Sequence, residues 1–208
     1  MEEFNKKNHW ENIYQTKELK DVSWYQPVPT SSMEFVKEHN IPLTAKIIDI
    51  GGGDSFFVDH LLALGYENIS VLDISFSALE KAKIRLGEKA SKVKWIVSDI
   101  TTFETDEKYD FWHDRAAFHF LTNDEEIEKY KTKLTRFISD NGIVVIGTFS
   151  TDGPIKCSGI EIKQYSEELM ETCFSGILNK IECKIVDHST PFNTVQNFVF
   201  CSFTKRNL

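Results

Sequence analysis

The chain has 208 residues, 32 of them acidic against 24 basic, for a net charge of -8. That length suits one domain, with or without a small appendage, and buries a substantial core. The acidic balance excludes a broad phosphate-binding surface, and no apolar run approaches the ~20 residues that span a bilayer, so neither nucleic acid nor a membrane is an expected partner.

The four cysteines, Cys157, Cys173, Cys183 and Cys201, are scattered without a Cys-x-x-Cys pair, and nothing at the N-terminus resembles a signal peptide. The expectation is reduced thiols in a cytoplasmic protein, with a monomer favoured. Residues 1–40 stand apart as an aromatic-rich arm: Phe4, His9, Trp10, Tyr14, Trp24 and Tyr25 precede an extended Pro27-Val28-Pro29 break. The arm is read as a helix stapled to the domain or as a lid over a site. A short helix is expected over residues 31–40, before Pro42.

Residues 41–208 form the main domain. Its first strand is Ala45-Lys46-Ile47-Ile48-Asp49-Ile50, β-branched and nearly continuous, as suits a strand covered on both faces. Gly51, Gly52 and Gly53 follow, able to take positive φ and to let a ligand approach the backbone. Phe56, Phe57, His60, Leu61 and Leu64 then continue at helical spacing. A second strand, residues 68–73, again ends in an acid, Asp73. Ser77 to Glu80 has the spacing of a capping box, with Leu79, Ala82 and Leu86 as the apolar stripe of its helix. A third strand runs from Val93 to Asp99.

The fourth strand covers Tyr109 to His113. Thr122 and Glu125 frame another capping box, and the helix it opens ends near Asp140-Asn141-Gly142, taken as a left-handed terminator. Residues 143–149 make a fifth strand, and a short helix opens at Tyr165-Ser166-Glu167-Glu168. Two last strands, residues 181–187 and 197–203, have no helix between them and should pair antiparallel. Alternating strands and helices argue for a doubly wound α/β sheet. In such a sheet Asp49, Asp73 and Asp99 converge on the rim beyond the strands' carboxyl ends, where ligands bind.

A Gly-rich loop followed 22 residues after Gly51 by Asp73 suits either a nicotinamide dinucleotide or S-adenosylmethionine. A pyrophosphate would lie beside Asp49 and Asp54, like charges in a partly desolvated crevice, whereas a sulfonium and an ammonium are attracted to them. Phe56 also occupies the place of the third glycine in Gly-x-Gly-x-x-Gly. The acids favour the cationic cofactor.

With these residues in view, the chain resembles a class I S-adenosylmethionine-dependent methyltransferase, and within that class a group of mostly uncharacterised bacterial methyltransferase-domain proteins. Asp49-Ile50-Gly51-Gly52-Gly53-Asp54-Ser55 is similar to the first motif of that superfamily, with Ser55 replacing the third glycine. The resemblance implies a mostly parallel seven-stranded sheet of order 3-2-1-4-5-7-6 with a C-terminal antiparallel hairpin and helices on both faces. It implies an enzyme of EC 2.1.1 type that binds the cofactor through Asp49, Gly51, Gly52, Gly53, Asp73, Ile74, Ser98, Asp99, Ile100 and His113. His113, Asp114 and His119 are candidates for a base or an orienting group, and Trp10, Tyr14, Trp24, Tyr25 and Arg115 for the lid or acceptor site. No metal is expected.

In-line methyl transfer asks mainly for alignment, with proton removal where one must leave. The expected acceptor is a small molecule. The alternatives are a protein lysine, because arms with Trp10 and Tyr14 spaced in this way also resemble eukaryotic protein-lysine enzymes, a non-catalytic binding module, and a dinucleotide-dependent oxidoreductase. Asn/Asp-Pro-Pro-Tyr and Pro-Cys motifs, which would signal base methylation in DNA, are absent from the sequence.

Overall fold

A computed structural model describes residues 4–206. The arm contributes helices α1 (Lys6–Thr16) and α2 (Thr30–Glu38). The main domain follows as β1 (Ile47–Ile50), α3 (Phe57–Leu64), β2 (Ile69–Asp73), α4 (Phe76–Leu86), β3 (Val93–Val97) and β4 (Tyr109–Arg115). Then come α5 (Asp124–Phe137), β5 (Ile138–Phe149), the two-residue strands β6 (Lys156–Cys157) and β7 (Ile160–Glu161), α6 (Glu167–Phe174), β8 (Leu178–Ser189) and β9 (Val195–Lys205).

The seven long strands form one sheet in the order β3-β2-β1-β4-β5-β9-β8, while β6 and β7 pair apart from it. Counted without that minor pair, the order is the expected 3-2-1-4-5-7-6. Strands β1 to β5 are parallel, and β9 joins β5 and β8 antiparallel. Ile47, Ile48 and Ile50 are at most 1% exposed because helices cover both faces. Phe35, Phe57, Leu61 and Leu79 of α2, α3 and α4 pack one face; Tyr130, Leu134, Met170 and Phe174 of α5 and α6 pack the other.

Local details depart from the sequence reading for identifiable reasons. Helix α4 is capped by Ser75, whose Oγ accepts from the Ala78 amide at 3.1 Å. Ser77 cannot be the cap, because it lies inside the first turn and gives its hydroxyl and amide to Glu11. Helix α5 is capped by Asn123, which accepts from the Glu126 amide at 2.9 Å, and not by Thr122. Asp140-Asn141-Gly142 terminates nothing: α5 stops at Phe137, and these residues fall where the β4–β5 register jumps, from Tyr109 opposite Ile138 to Phe111 opposite Ile143. The extra residues are absorbed as an irregularity inside β5.

The cysteines also require a correction. Cys183 and Cys201 are direct partners in the β8–β9 register, and their sulfurs are bonded; only Cys157 and Cys173 are free. The two stand 18 positions apart in sequence, so only the antiparallel register reveals the pair. Among the described residues no helix is long and apolar enough to cross a membrane.

Candidate active site

The cleft opens beyond the carboxyl ends of β1 to β4, under the arm. At the end of β1 the backbone turns through Gly51 at φ +64° and Gly53 at φ +47°, a region side chains disfavour. A Cβ on Gly51 would stand 2.6 Å from the Ala117 Cβ, and one on Gly53 would stand 2.7 Å from the Tyr14 hydroxyl and 3.2 Å from Asp73 Oδ2. Gly51 therefore lets the β4 loop close in, and Gly53 lets the arm do so. Gly51 and Gly52 face the cleft directly, whereas Gly53 lies behind them against Tyr14.

Three buried carboxylates, Asp49, Asp54 and Asp73, meet around this loop. Burial pushes Asp73 up to about 7; the Ser75 amide opposes the rise, and the charges of Asp54 and Asp49 add to it. Asp54 is pushed up to about 6 by burial, against the pull of Arg85 and Lys81, and its Oδ1 is buried with no partner. Asp49 Oδ1 accepts a hydrogen bond from His113 Nδ1 at 2.7 Å. Farther along the rim, Ile74, Ser98, Asp99 and Ile100 line the same cleft; Asp99 Oδ1 accepts from the Thr101 amide and hydroxyl at 2.8 and 2.7 Å. An acid-lined cleft with an unpaired carboxylate oxygen attracts a cation and hydroxyl donors.

The three candidate catalytic groups are placed very differently. His113 lines the cleft, but both of its nitrogens are engaged: a carboxylate only accepts, so Nδ1 donates to Asp49, and Nε2 lies 2.8 Å from Ser32 Oγ in α2. Asp114 points to the opposite face of the sheet, away from the cleft. Its Oδ1 accepts from the Ala117 and Phe118 amides at 2.9 and 3.0 Å and its Oδ2 from the Tyr130 hydroxyl at 2.9 Å, so its job is to fold the loop after β4. His119 is fully buried beside Phe120 and Phe149 and does not line the cleft; burial and then Arg115 push it down to about 3, so it is neutral. Strand alternation explains the split between His113 and Asp114, since residues 113 and 115 face one side and 112 and 114 the other, whereas His119 lies in the turn after the strand.

The arm is docked over this cleft. Glu11 of α1 accepts from Ser75 Oγ at 2.8 Å and from the Ser77 amide at the start of α4, an anion at a helix N-terminus. Lys6 Nζ donates to the Phe120 carbonyl at 3.1 Å. Trp10, Tyr14 and Trp24 line the cleft, with Trp10 edge-on to Trp24 and Phe120 at ring separations of 5.8 and 5.0 Å. Tyr25 does not: its ring packs on Phe56 at 6.1 Å, outside the cleft. Arg115 lines the cleft next to Trp24, donating from Nη1 to the Trp24 carbonyl at 3.2 Å.

This geometry agrees with what the chain is similar to. A family model described as a methyltransferase domain matches residues 44–197, most of the chain. The chain belongs to the methyltransferase-domain family. In sequence the chain is similar to methyltransferases: the malonyl-[acyl-carrier protein] O-methyltransferase 2 of Ilyobacter polytropus is 29% identical over 107 residues, covering 51% of this chain and 40% of that protein. Human EEF1A lysine methyltransferase 2 is 28% identical over 155 residues, covering 67% of this chain and 66% of that one. The chain thus spans two fifths to just under two thirds of these relatives' lengths.

In fold, it resembles the N-methyltransferase NodS of Bradyrhizobium japonicum in complex with S-adenosyl-L-homocysteine, with a TM-score of 0.72 at 15% identity, covering 98% of this chain and 100% of that one. It also resembles an S-adenosylmethionine-dependent methyltransferase from Anabaena variabilis, with a TM-score of 0.75 at 16% identity over 98% and 96% of the two chains. The fold is that of the class I methyltransferases.

Several residues that line or support the cleft are not visible to sequence reasoning. Ser32, behind the cleft wall, reaches His113 from 81 positions away, and no local pattern marks it. Lys6, Phe120 and Cys157 line the cleft only because separate elements are folded together. Ala116 did leave a trace: it belongs to a pair of small residues after a strand, of which Ala117 meets Gly51, and it takes φ +67°, a conformation uncommon for non-glycine residues.

Proposed function

We propose that this chain binds S-adenosylmethionine across Gly51 to Gly53 and transfers its methyl group to a small-molecule acceptor enclosed by the arm. The observation that carries this reading is the buried acid cluster of Asp49, Asp54 and Asp73 around a left-handed glycine loop, with Asp54 Oδ1 unpartnered. Such a cluster fits an ammonium, a sulfonium and a ribose diol, and it repels a pyrophosphate. When bound, S-adenosylmethionine supplies a methyl group on a positively charged sulfur. Asp73 would hold the ribose hydroxyls, Asp99 and the Ile100 amide the adenine, and Asp49 and Asp54 the methionine ammonium.

His113 is held between Asp49 and Ser32, so it fixes the wall of the methyl end and has no free nitrogen to take a proton. The remaining contribution of the chain is alignment and exclusion of water by Trp10, Tyr14 and Trp24, which suits an in-line displacement. Transfer to a protein lysine is the second reading, favoured by the human relative whose name states that activity. Arg115 opposes it, because a guanidinium at the acceptor end repels an incoming ammonium.

Thermal unfolding with S-adenosylhomocysteine and with NAD tests the cofactor. The expected outcome is a higher melting temperature with the former alone, since a ligand bound only by the folded state stabilises it. Stabilisation by NAD alone would reverse the assignment.

A further inference from the structure

Of all the polar groups around the cleft, Arg115 is the least accounted for. It ends β4, opposite Gly147 of β5 in the parallel pairing, and opens on the cleft. Its guanidinium carbon lies 5.3 Å from the centre of the Phe198 ring in β9. Among the described residues its one hydrogen bond goes from Nη1 to the Trp24 carbonyl, long at 3.2 Å, and Nη2 is buried with no partner at all. No carboxylate among the described residues bonds to it. Burial, partly offset by the charges of Cys157 and Asp49, lowers its pKa only to about 10, so it stays a cation at neutral pH.

A half-buried guanidinium whose Nη2 is fully buried and unpartnered is costly, because that part of the charge loses its hydration with no counter-ion in return. Here it has been kept beside a cleft that is otherwise acidic. The sheet order places it on a different side of the cofactor rim: Asp73 and Asp99 stand at β2 and β3, Asp49 at β1, and Arg115 at β4, under Trp24 and against Phe198 of β9. The arm and the C-terminal strands, not the glycine loop, enclose it. A planar fork with one weakly held nitrogen and one empty one is the geometry that takes a carboxylate through two parallel hydrogen bonds.

We infer that the methyl acceptor carries a carboxylate, and that Arg115 binds it, the two carboxylate oxygens replacing the Trp24 carbonyl on Nη1 and completing Nη2. The carboxylate is the handle by which the acceptor is oriented. Displacing the Trp24 carbonyl couples acceptor binding to the arm, since Trp24 also lines the cleft between Trp10 and Tyr14. Neutral His119, in the field of Arg115 but uncharged, does not compete for the anion. This inference rests on the methyltransferase reading of the cleft and narrows its substrate class to acids.

The test begins with calorimetry of S-adenosylhomocysteine and of methylthioadenosine, which lacks the amino-acid part, on the wild type and on R115Q and R115K. Labelled S-adenosylmethionine is then supplied with the low-molecular-weight fraction of a cell extract, divided on an anion exchanger at neutral pH. We expect both variants to bind S-adenosylhomocysteine as the wild type does, which also shows that they fold. Label should enter the retained, acidic pool, disappear when the carboxylates of that pool are first converted to amides, and fall about tenfold to a hundredfold with R115Q, less with R115K, as for loss of a charge-assisted pair.

Absence of label from the retained pool, wherever else it goes, overturns the inference, and so does transfer by R115Q at the wild-type rate. Loss of affinity in R115Q for S-adenosylhomocysteine but not for methylthioadenosine would assign the fork to the cofactor's own carboxylate and overturn it too. Failure of the wild type to bind S-adenosylhomocysteine would strike instead at the methyltransferase reading beneath it.

Discussion

Asp73 shows how one residue can be tuned by what surrounds it. Its carboxyl is buried, receives the Ser75 amide at 2.8 Å and shares its space with Asp54 and Asp49, so it holds its proton to about pH 7, against 3.8 for an ordinary aspartate. The folded chain therefore binds more protons than the unfolded one between those values. Stability from this group is gained as pH falls through about 7 and lost as pH rises through it. The D73N variant, permanently neutral, should then melt higher than the wild type at about pH 8, with the gap narrowing below about pH 7 and closing toward about pH 4. Ligand affinity runs the other way, because ribose hydroxyls need the ionised carboxylate. D73N should lose about tenfold or more in affinity for S-adenosylhomocysteine, read by calorimetry, as a hydrogen bond to a charged group is worth ~1.5–3 kcal/mol. Unchanged affinity would remove Asp73 from the site.

At the scale of elements, the site is a set of tethers between segments far apart in sequence. Ser32 of α2 holds His113 of β4, which holds Asp49 of β1, so one helix and two strands are tied together by two hydrogen bonds. S32A leaves the buried Nε2 of His113 without a partner and should cost about 1–3 kcal/mol in denaturant unfolding. An unchanged midpoint would mean that α2 is held by its apolar face alone, through Phe35 and Val36. Glu11 performs a similar duty for α1 at the start of α4: although burial opposes it, hydrogen bonds from Ser77 and Ser75 hold its carboxyl below the usual range. E11Q keeps the shape but removes the charge facing the helix N-terminus, and it should increase hydrogen exchange in α1 while leaving β1 and β4 protected. Equal protection in both proteins would show that the aromatic contacts of Trp10 and Tyr14 suffice.

Across the whole molecule, the antiparallel C-terminal strands close the sheet and carry the Cys183–Cys201 bond. Thiol titration of the unfolded, unreduced chain should find two reactive groups, Cys157 and Cys173, and four after reduction. Four before reduction would mean that the hairpin stands on hydrogen bonds and packing alone. Most of the architecture was legible in the sequence, since β1 to β5 announce themselves as apolar runs and three of them lead into acids, Asp49, Asp73 and Asp99. Those features are local: side-chain shape sets strand preference, glycine sets backbone freedom, and the alternation of strand with helix sets a parallel sheet.

Helix starts were less legible, because Ser75 and Ser77, or Thr122 and Asn123, differ in no way that spacing can weigh; the neighbouring turn and Glu11 decided between them. What only the tertiary structure decided was the division of labour among adjacent residues. His113 and Arg115 face the cleft while Asp114 and His119 are buried away from it, Tyr14 covers Asp73 while Tyr25 does not, and Cys183 meets Cys201. Each of these outcomes depends on which face of a strand, helix or turn is covered by a partner distant in the chain. That partner is chosen when apolar faces are buried together, and nothing in the local sequence records the choice.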